Sequence, residues 1–201
     1  MDRRDFLGQI TKGAVSSAMA CSALGVLAWQ VRRNPAPHRL ATEPGTLRPP
    51  GALPEDDFLA SCIRCTACHD SCMSRAIQLA GPGDPAETGT PFILPTETAC
   101  NLCLACTTAC PTGALQPITD IKTVAMGTAV IDPRTCVAIN QTGVCGACHT
   151  VCPLRNSAIT LGLHNAPVVH EEHCVGCGLC EEACIVRGTK AIRVFPERER
   201  A

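Results

Sequence analysis

The segment Cys100-Asn-Leu-Cys103-Leu-Ala-Cys106-Thr-Thr-Ala-Cys110-Pro111 reads C-x2-C-x2-C-x3-C-P. That run can hold a cubane [4Fe–4S] cluster. Three cysteines in a tight loop aim their thiolates at three irons of one cube. The fourth, three residues on, points away and ligates a second cluster. The pattern recurs as Cys62, Cys65, Cys68 and Cys72, and as Cys174, Cys177, Cys180 and Cys184. A third copy is stretched at its start, Cys136-x8-Cys145-x2-Cys148-x3-Cys152, and again ends in proline, Pro153. Together these motifs take every one of the 17 cysteines except Cys21. The expected cofactors are four [4Fe–4S] clusters with four thiolates each.

The composition supports metal over an ordinary core. Aromatic residues make up 2% of the chain, there is no tyrosine, and the single tryptophan, Trp29, lies near the N-terminus. Bound clusters supply the staple that so small an apolar core lacks, because metal binding and folding are coupled in small metallo-domains. A disulfide framework has no reason to repeat x2, x2, x3 spacing. Structural zinc sites favour separated C-x2-C arms over closed groups of four. The formal charge of −1 argues against a nucleic-acid partner. No nucleophile–base pair, phosphate loop or acid/base carboxylate pair stands out, so the reading is an electron carrier with no small-molecule substrate and not an enzyme.

Residues 1–33 read as a targeting segment, set aside from fold reasoning. Asp2-Arg3-Arg4-Asp5-Phe6-Leu7 has the form of a twin-arginine export signal, with Arg3 and Arg4 as its signal residues. A weakly apolar run follows from Gly13 to Trp29, short for a membrane span. Export of an already folded protein suits cluster chemistry. The thiolates meet iron and sulfide in the reducing cytoplasm before an oxidising periplasm can pair them as disulfides. The expected location is the periplasm, with tethering at the membrane through a partner or an uncleaved leader left open. Ala18-Met19-Ala20 offers a small-residue cleavage site early in the run, and Cys21 beside it fits a lipidation site poorly.

The elements that must position the cysteines are small. Residues 34–54 are proline-dense and read as an extended linker. The four-cluster region is then 55–201, opening on a short helix at Glu55-Asp56-Asp57-Phe58-Leu59-Ala60 whose first turn is acidic. Four repeats follow, at about 55–80, 91–119, 128–162 and 167–196. Each motif is followed by a short apolar segment: Ala76–Leu79, Ala114–Ile118, Ala158–Leu161 and Ala191–Phe195. The last three are preceded by one: Pro91–Leu94, Thr128–Ile131 and Pro167–Val169. The repeat unit is strand, cysteine loop, short helix, strand, and two units make one pseudo-twofold ferredoxin module. The expected fold is therefore α+β and cluster-organised: two ferredoxin-like modules of short antiparallel strands and short helices around four [4Fe–4S] clusters. Spacing leaves the pairing of motifs open. Neighbours could pair, or the second and third could nest inside the first and fourth. Analogy with four-cluster subunits of molybdenum oxidoreductases favours nesting.

The segment Arg48-Pro-Pro-Gly-Ala-Leu-Pro-Glu-Asp-Asp-Phe-Leu-Ala-Ser-Cys-Ile-Arg-Cys65, the four motifs and the twin-arginine leader together resemble the MauM/NapG family of ferredoxin-type proteins. The resemblance covers nearly the whole chain, and Arg48–Cys65 is its most specific part. It implies a periplasmic carrier whose cluster ligands are the sixteen motif cysteines. The implied donor is a NapH-like membrane quinol-oxidising iron–sulfur protein. The implied acceptor is periplasmic nitrate reductase with its cytochrome c subunits. On the MauM side of the family the implied role is instead an accessory protein in methylamine dehydrogenase maturation. A permanent electron-transfer subunit of another molybdenum oxidoreductase is a further alternative. Met73 and Ile185 stand where ferredoxins often carry proline, the second motif is compact, and the tail after Cys184 is short.

Some residues near the motifs carry two readings. His69 and His149 follow equivalent cysteines and could tune a cluster, or could simply be polar residues on short helices. His164, His170 and His173 could form a second metal site, with ordinary surface histidines as the plainer reading. Arg64 could offset cluster charge or be solvated. Gly176 and Gly178 are expected to let backbone N–H groups approach the cluster sulfurs.

Overall fold

The computed structural model describes residues 46–84 and 86–196. The leader with Arg3, Arg4 and Cys21, most of the expected linker, and the tail from residue 197 lie outside the described residues. Among the described residues no helix is long and apolar enough to cross a membrane.

Helix α1 (Glu55–Ser61) leads into the first cysteine loop, and its acidic first turn, Glu55, Asp56 and Asp57, suits the positive end of the helix. Helix α2 (Ala67–Asp70) carries Cys68. Strands β1 (Ile77–Leu79) and β2 (Pro91–Ile93) form an antiparallel hairpin with Ile77 opposite Ile93 and Leu79 opposite Pro91. Helix α3 (Ala105–Ala109) carries Cys106. The first module closes where Ala52 bridges Leu115 in antiparallel fashion, with Leu53 N–H donating to Ala114 O and Gln116 N–H to Gly51 O.

The second module repeats the plan in more regular form. Strand β3 (Gly127–Ile131) pairs with the last strand, β6 (Ile192–Pro196), in register Gly127 to Pro196 through Ile131 to Ile192. Between them lie helix α4 (Ala147–Val151), the hairpin of β4 (Ile159–Leu161) with β5 (Pro167–Val169), and helix α5 (Leu179–Glu182). The observed α+β architecture of short helices and antiparallel strands agrees with the sequence expectation. The segment after the second motif, Ala114–Ile118, contributes a single bridge and no regular strand.

Two sequence expectations are corrected here. Residues 46–53, read as coreless linker, belong to the first module. Leu47, Arg48, Pro49 and Pro50 are buried, and Ile93 N–H donates to Leu47 O. This proline-rich stretch takes the place that β3 occupies in the second module. Its prolines are compatible because Pro49 and Pro50 lie in a turn that Gly51 completes at φ 77°, with Ala52 N–H donating to Pro49 O. The nested pairing is also overturned, since the modules are formed by neighbouring motifs. The local hairpins β1/β2 and β4/β5 fold each motif back on the next, and antiparallel turns of this kind need only a short connection.

The core is thin and thiol-rich. In the first module Phe58, Ile77, Ile93 and Leu115 pack with Cys100 and Cys106; in the second Ala129, Ile159 and Ile192 pack with Cys148 and Cys180. Phe58 is fully buried. Burial of such a side chain contributes about 1.5–3 kcal/mol.

Candidate metal centres

Three of the four motifs bend in the same way. In each, the residues on either side of the middle cysteine are left-handed. Arg64 and Thr66 have φ of 57° and 66°, Leu102 and Leu104 have 59° and 61°, and Gly176 and Gly178 have 70° and 85°. This alternation curls the backbone so that successive N–H groups face inward, a nest suited to an anionic group. Arg64, Thr66, Leu102 and Leu104 pay about 1–2 kcal/mol each for this conformation. Such outliers persist where the surroundings over-determine them. The third motif lacks the pattern: Gly146 has φ −147°, and its longer approach from Cys136 replaces the tight first loop.

The loops converge into four groups of cysteines. Cys62, Cys65, Cys68 and Cys110 line one concavity with Phe58, Thr112 and Leu115. Cys136, Cys145, Cys148 and Cys184 line a second, and Cys152, Cys174, Cys177 and Cys180 a third. The remaining four are Cys72, Cys100, Cys103 and Cys106. The Cys106 thiol feels the charges of Cys100, Cys103 and Cys72, and Cys100 feels Cys72 and Cys103. In every group three cysteines come from one motif and the fourth from the end of its neighbour.

The chemistry of these donors suits a polynuclear cation. Burial pushes the Cys106 thiol up to about 12, and the nearby Cys100 and Cys103 add to it. Burial does the same at Cys177, to about 12, and at Cys68, Cys100 and Cys148, to about 11. Cys180 is raised well above the ordinary thiol value by burial and by Cys177. Four thiolates packed together out of water need positive charge among them, and an iron–sulfur core supplies it. Among the described residues no three His, Cys, Asp or Glu side chains close on a site for a single metal ion.

Polar groups reach several sulfurs. Leu102 N–H lies 3.4 Å from Cys100 Sγ, Leu115 N–H 3.4 Å from Cys110 Sγ, and Ala129 N–H 3.4 Å from Cys174 Sγ. Ser74 Oγ is 3.6 Å from Cys72 Sγ, and Thr112 Oγ1 is 3.7 Å from Cys110 Sγ. Burial pulls the Cys72 thiol up, but the Ile77 N–H, the Ser74 hydroxyl and the Ala76 and Arg75 N–H groups outweigh it and hold the thiol below its ordinary value. Cys110 is held low in the same way by Leu115 N–H and Thr112.

The other candidates have local roles. His69 Nδ1 lies 2.8 Å from Ile77 O, and His149 Nε2 lies 2.9 Å from Asn156 Oδ1, so each ties its helix to the following segment. His170 Nε2 meets Thr160 Oγ1 at 2.9 Å across the β4/β5 hairpin, and the His164, His170 and His173 set forms no metal site. Arg64 pairs with Glu87 at 3.5 Å on the surface. Gly176 packs against the backbone of Gly127, and Gly178 against Pro95 of the first module.

Two features escaped the sequence. Arg48 is buried, its Nε and Nη2 bind Glu55 at 3.1 and 2.5 Å, and its Nη1 donates to Thr90 Oγ1 and Pro91 O at 2.9 and 2.7 Å. Its guanidinium lies 4.6 Å from the centre of the Phe58 ring. An arginine in a proline-rich stretch gives no sign of such a role. The second feature is the junction of the modules. Cys100 N–H donates to Cys177 O at 2.9 Å, Ala99 N–H donates to Glu182 Oε2 at 2.9 Å, and the Cys177 thiol feels Cys100. The second and fourth motifs therefore meet.

Comparison with known proteins finds iron–sulfur domains over the same cysteine motifs. A 4Fe-4S dicluster domain model matches residues 61–114 and again 99–156, and a 4Fe-4S binding domain model matches 167–187. The chain is 42% identical to the methylamine utilization ferredoxin-type protein MauM of Methylorubrum extorquens over 207 residues, covering 96% of this chain and 89% of that protein. It is 45% identical to MauM of Paracoccus denitrificans over 162 residues, covering 75% and 71%. It is 38% identical to the ferredoxin-type protein NapG of Haemophilus influenzae over 211 residues, covering 97% and 72%. With its cysteine loops, its repeated iron–sulfur domains and these relatives, the chain belongs to the MauM/NapG family of ferredoxin-type iron–sulfur electron-transfer proteins.

Proposed function

We propose that the sixteen motif cysteines hold four [4Fe–4S] clusters and that the protein relays electrons in the periplasm, exported folded through its Arg3-Arg4 leader. The observation that carries this reading is the convergence of those cysteines into four groups of four. Bound there, the clusters supply one-electron chemistry and move no substrate atoms. The residues do the rest. The curled loops direct N–H groups at sulfur, the thin core excludes water, and the Cys100–Cys177 contact joins the modules. The groups then run in the order first motif, second, fourth, third. The ferredoxin-type domains and relatives support the role of a carrier serving an oxidoreductase.

The system served is read as a NapH-like membrane quinol oxidiser feeding periplasmic nitrate reductase through its cytochrome c subunits. A second reading has its own support: the MauM relatives share 42% and 45% identity with the chain, the NapG relative 38%. On that reading the carrier serves methylamine utilization.

Iron and acid-labile sulfide on anaerobically purified protein test the centres. About sixteen of each per chain, with spin-coupled signals on reduction, is the expected result. About half that amount, or zinc in its place, overturns the four-cluster relay. Deleting the gene separates the two systems, through loss of periplasmic nitrate reduction or loss of growth on methylamine.

A further inference from the structure

The last cysteine of each motif is followed, two residues on, by a side chain at the rim of a cysteine group. In the first module these residues are Ser74 and Thr112, and their hydroxyls lie 3.6 Å from Cys72 Sγ and 3.7 Å from Cys110 Sγ. In the second module the same places hold Leu154 and Val186, which line the concavities of Cys152 and Cys184; their side chains have no donor to offer, although the Leu154 backbone N–H reaches the Cys152 sulfur. Thr112 lines the concavity of Cys110 in the corresponding way. A thiolate ligand only accepts hydrogen bonds, so a hydroxyl at this distance donates to it. A donor on a ligand sulfur stabilises the more negative, reduced state and raises the potential.

The surroundings act in the same sense. Exposed cysteines, Cys65 and Cys103, occur in both groups of the first module, whereas no described cysteine of the second is exposed. Water near a group favours its more charged, reduced form. Among the described residues the buried carboxylate is Glu181, which belongs to the second module and follows Cys180 in the chain. The acids of the first module that could oppose the trend, among them Asp56, Asp57, Asp70, Glu87, Glu97 and Asp120, are exposed and screened by solvent.

We propose that Ser74 and Thr112 make the first module the high-potential half of the protein, so that electrons enter at the Cys136–Cys152 side and leave through the Cys62–Cys72 side. This rests on the four-cluster reading above, and it adds a direction and the residues that set it. Ser74 and Thr112 are tuning residues that act through the ligand sulfurs.

The test is a redox titration followed by EPR on the full anaerobic protein and on three variants, Ser74→Ala, Thr112→Val and Val186→Thr, each with its iron and sulfide content measured. Thr112→Val and Val186→Thr are shape-matched opposites. In the unaltered protein two clusters should reduce before the other two. Ser74→Ala and Thr112→Val should each move one of the earlier midpoints downward, and Val186→Thr should move one of the later midpoints upward, all at full iron content. Unchanged midpoints at full iron content, or an earlier midpoint shifted by Val186→Thr, overturn the proposal. If a hydroxyl-removing variant fails to load, Val186→Thr decides alone, because it removes no contact. Fewer than four clusters in the unaltered protein would instead defeat the reading on which the proposal rests.

Discussion

The left-handed residues around the middle cysteines share one backbone conformation but differ in what surrounds them. Arg64 points outward to Glu87, and an exposed pair of this kind contributes little. Arg64→Gly removes about 1 kcal/mol of backbone strain and adds a comparable unfolded-state entropy cost, so its net effect should be near zero. Gly176→Ala has no such freedom, because its new methyl meets the Gly127 backbone where β3 begins. Denaturant unfolding of the loaded protein should show Arg64→Gly close to the parent and Gly176→Ala clearly destabilised; equal effects would mean that conformation alone governs these loops. Arg48 presents the opposite case, a buried charge with each of its three nitrogens hydrogen-bonded. Arg48→Met should cost about 3–5 kcal/mol, since it removes the buried guanidinium that donates to Glu55, Thr90 and Pro91. The same unfolding measurement reads it, and a change below about 1 kcal/mol would show that water replaces the guanidinium at little cost.

At the scale of elements, each module depends on the pairing that joins its first and last segments. In the second this is the β3/β6 ladder of five residue pairs, and in the first a single bridge between Ala52 and Leu115. The first closure is therefore the weaker point. Gly51, at φ 77°, lies so close to Gln116 O that a methyl there overlaps it. Gly51→Ala should release the bridge and loosen the groups of Cys62 and Cys72 while the second module keeps its metal. The expected readout is loss of up to half the iron. Loss of all of it would instead mean that the modules fold as one unit through the Cys100–Cys177 contact. A second element-scale link is Glu181, which burial raises above the ordinary carboxylate range although Val194 N–H donates to it at 2.7 Å. It fastens α5 to β6. Glu181→Ala leaves that N–H without its partner, at about 1–3 kcal/mol, and Glu181→Gln should recover most of the loss in thermal unfolding.

At the scale of the molecule, exposure of the sulfurs is uneven. Cys65 and Cys103 reach solvent, whereas Cys177 is buried at the module junction and Cys180 in the second module's core. Oxygen should therefore destroy the first module's centres first. Timed air exposure followed by thiol alkylation and mass spectrometry should label peptides bearing Cys65 and Cys103 before those bearing Cys177 and Cys180, and the reverse order would contradict the burial pattern. Much of this architecture was legible in the chain itself. The x2, x2, x3 spacing determined the ligand type and the grouping of three cysteines per loop, because those residues lie close along the chain whatever the rest does. The apolar segments Ala76–Leu79, Pro91–Leu94, Ala158–Leu161 and Pro167–Val169 likewise marked the hairpin strands, since strand formation there needs only local pairing, whereas Ala114–Ile118 formed no regular strand. Which motif supplies the fourth cysteine was a tertiary decision, and the neighbouring pairs replaced the nested order suggested by analogy. The burial of Leu47–Pro50, the Arg48 network and the contact of Cys100 with Cys177 belong to the same class. Each depends on side chains or backbone groups brought together from far along the sequence, and spacing along one strand carries no record of such meetings.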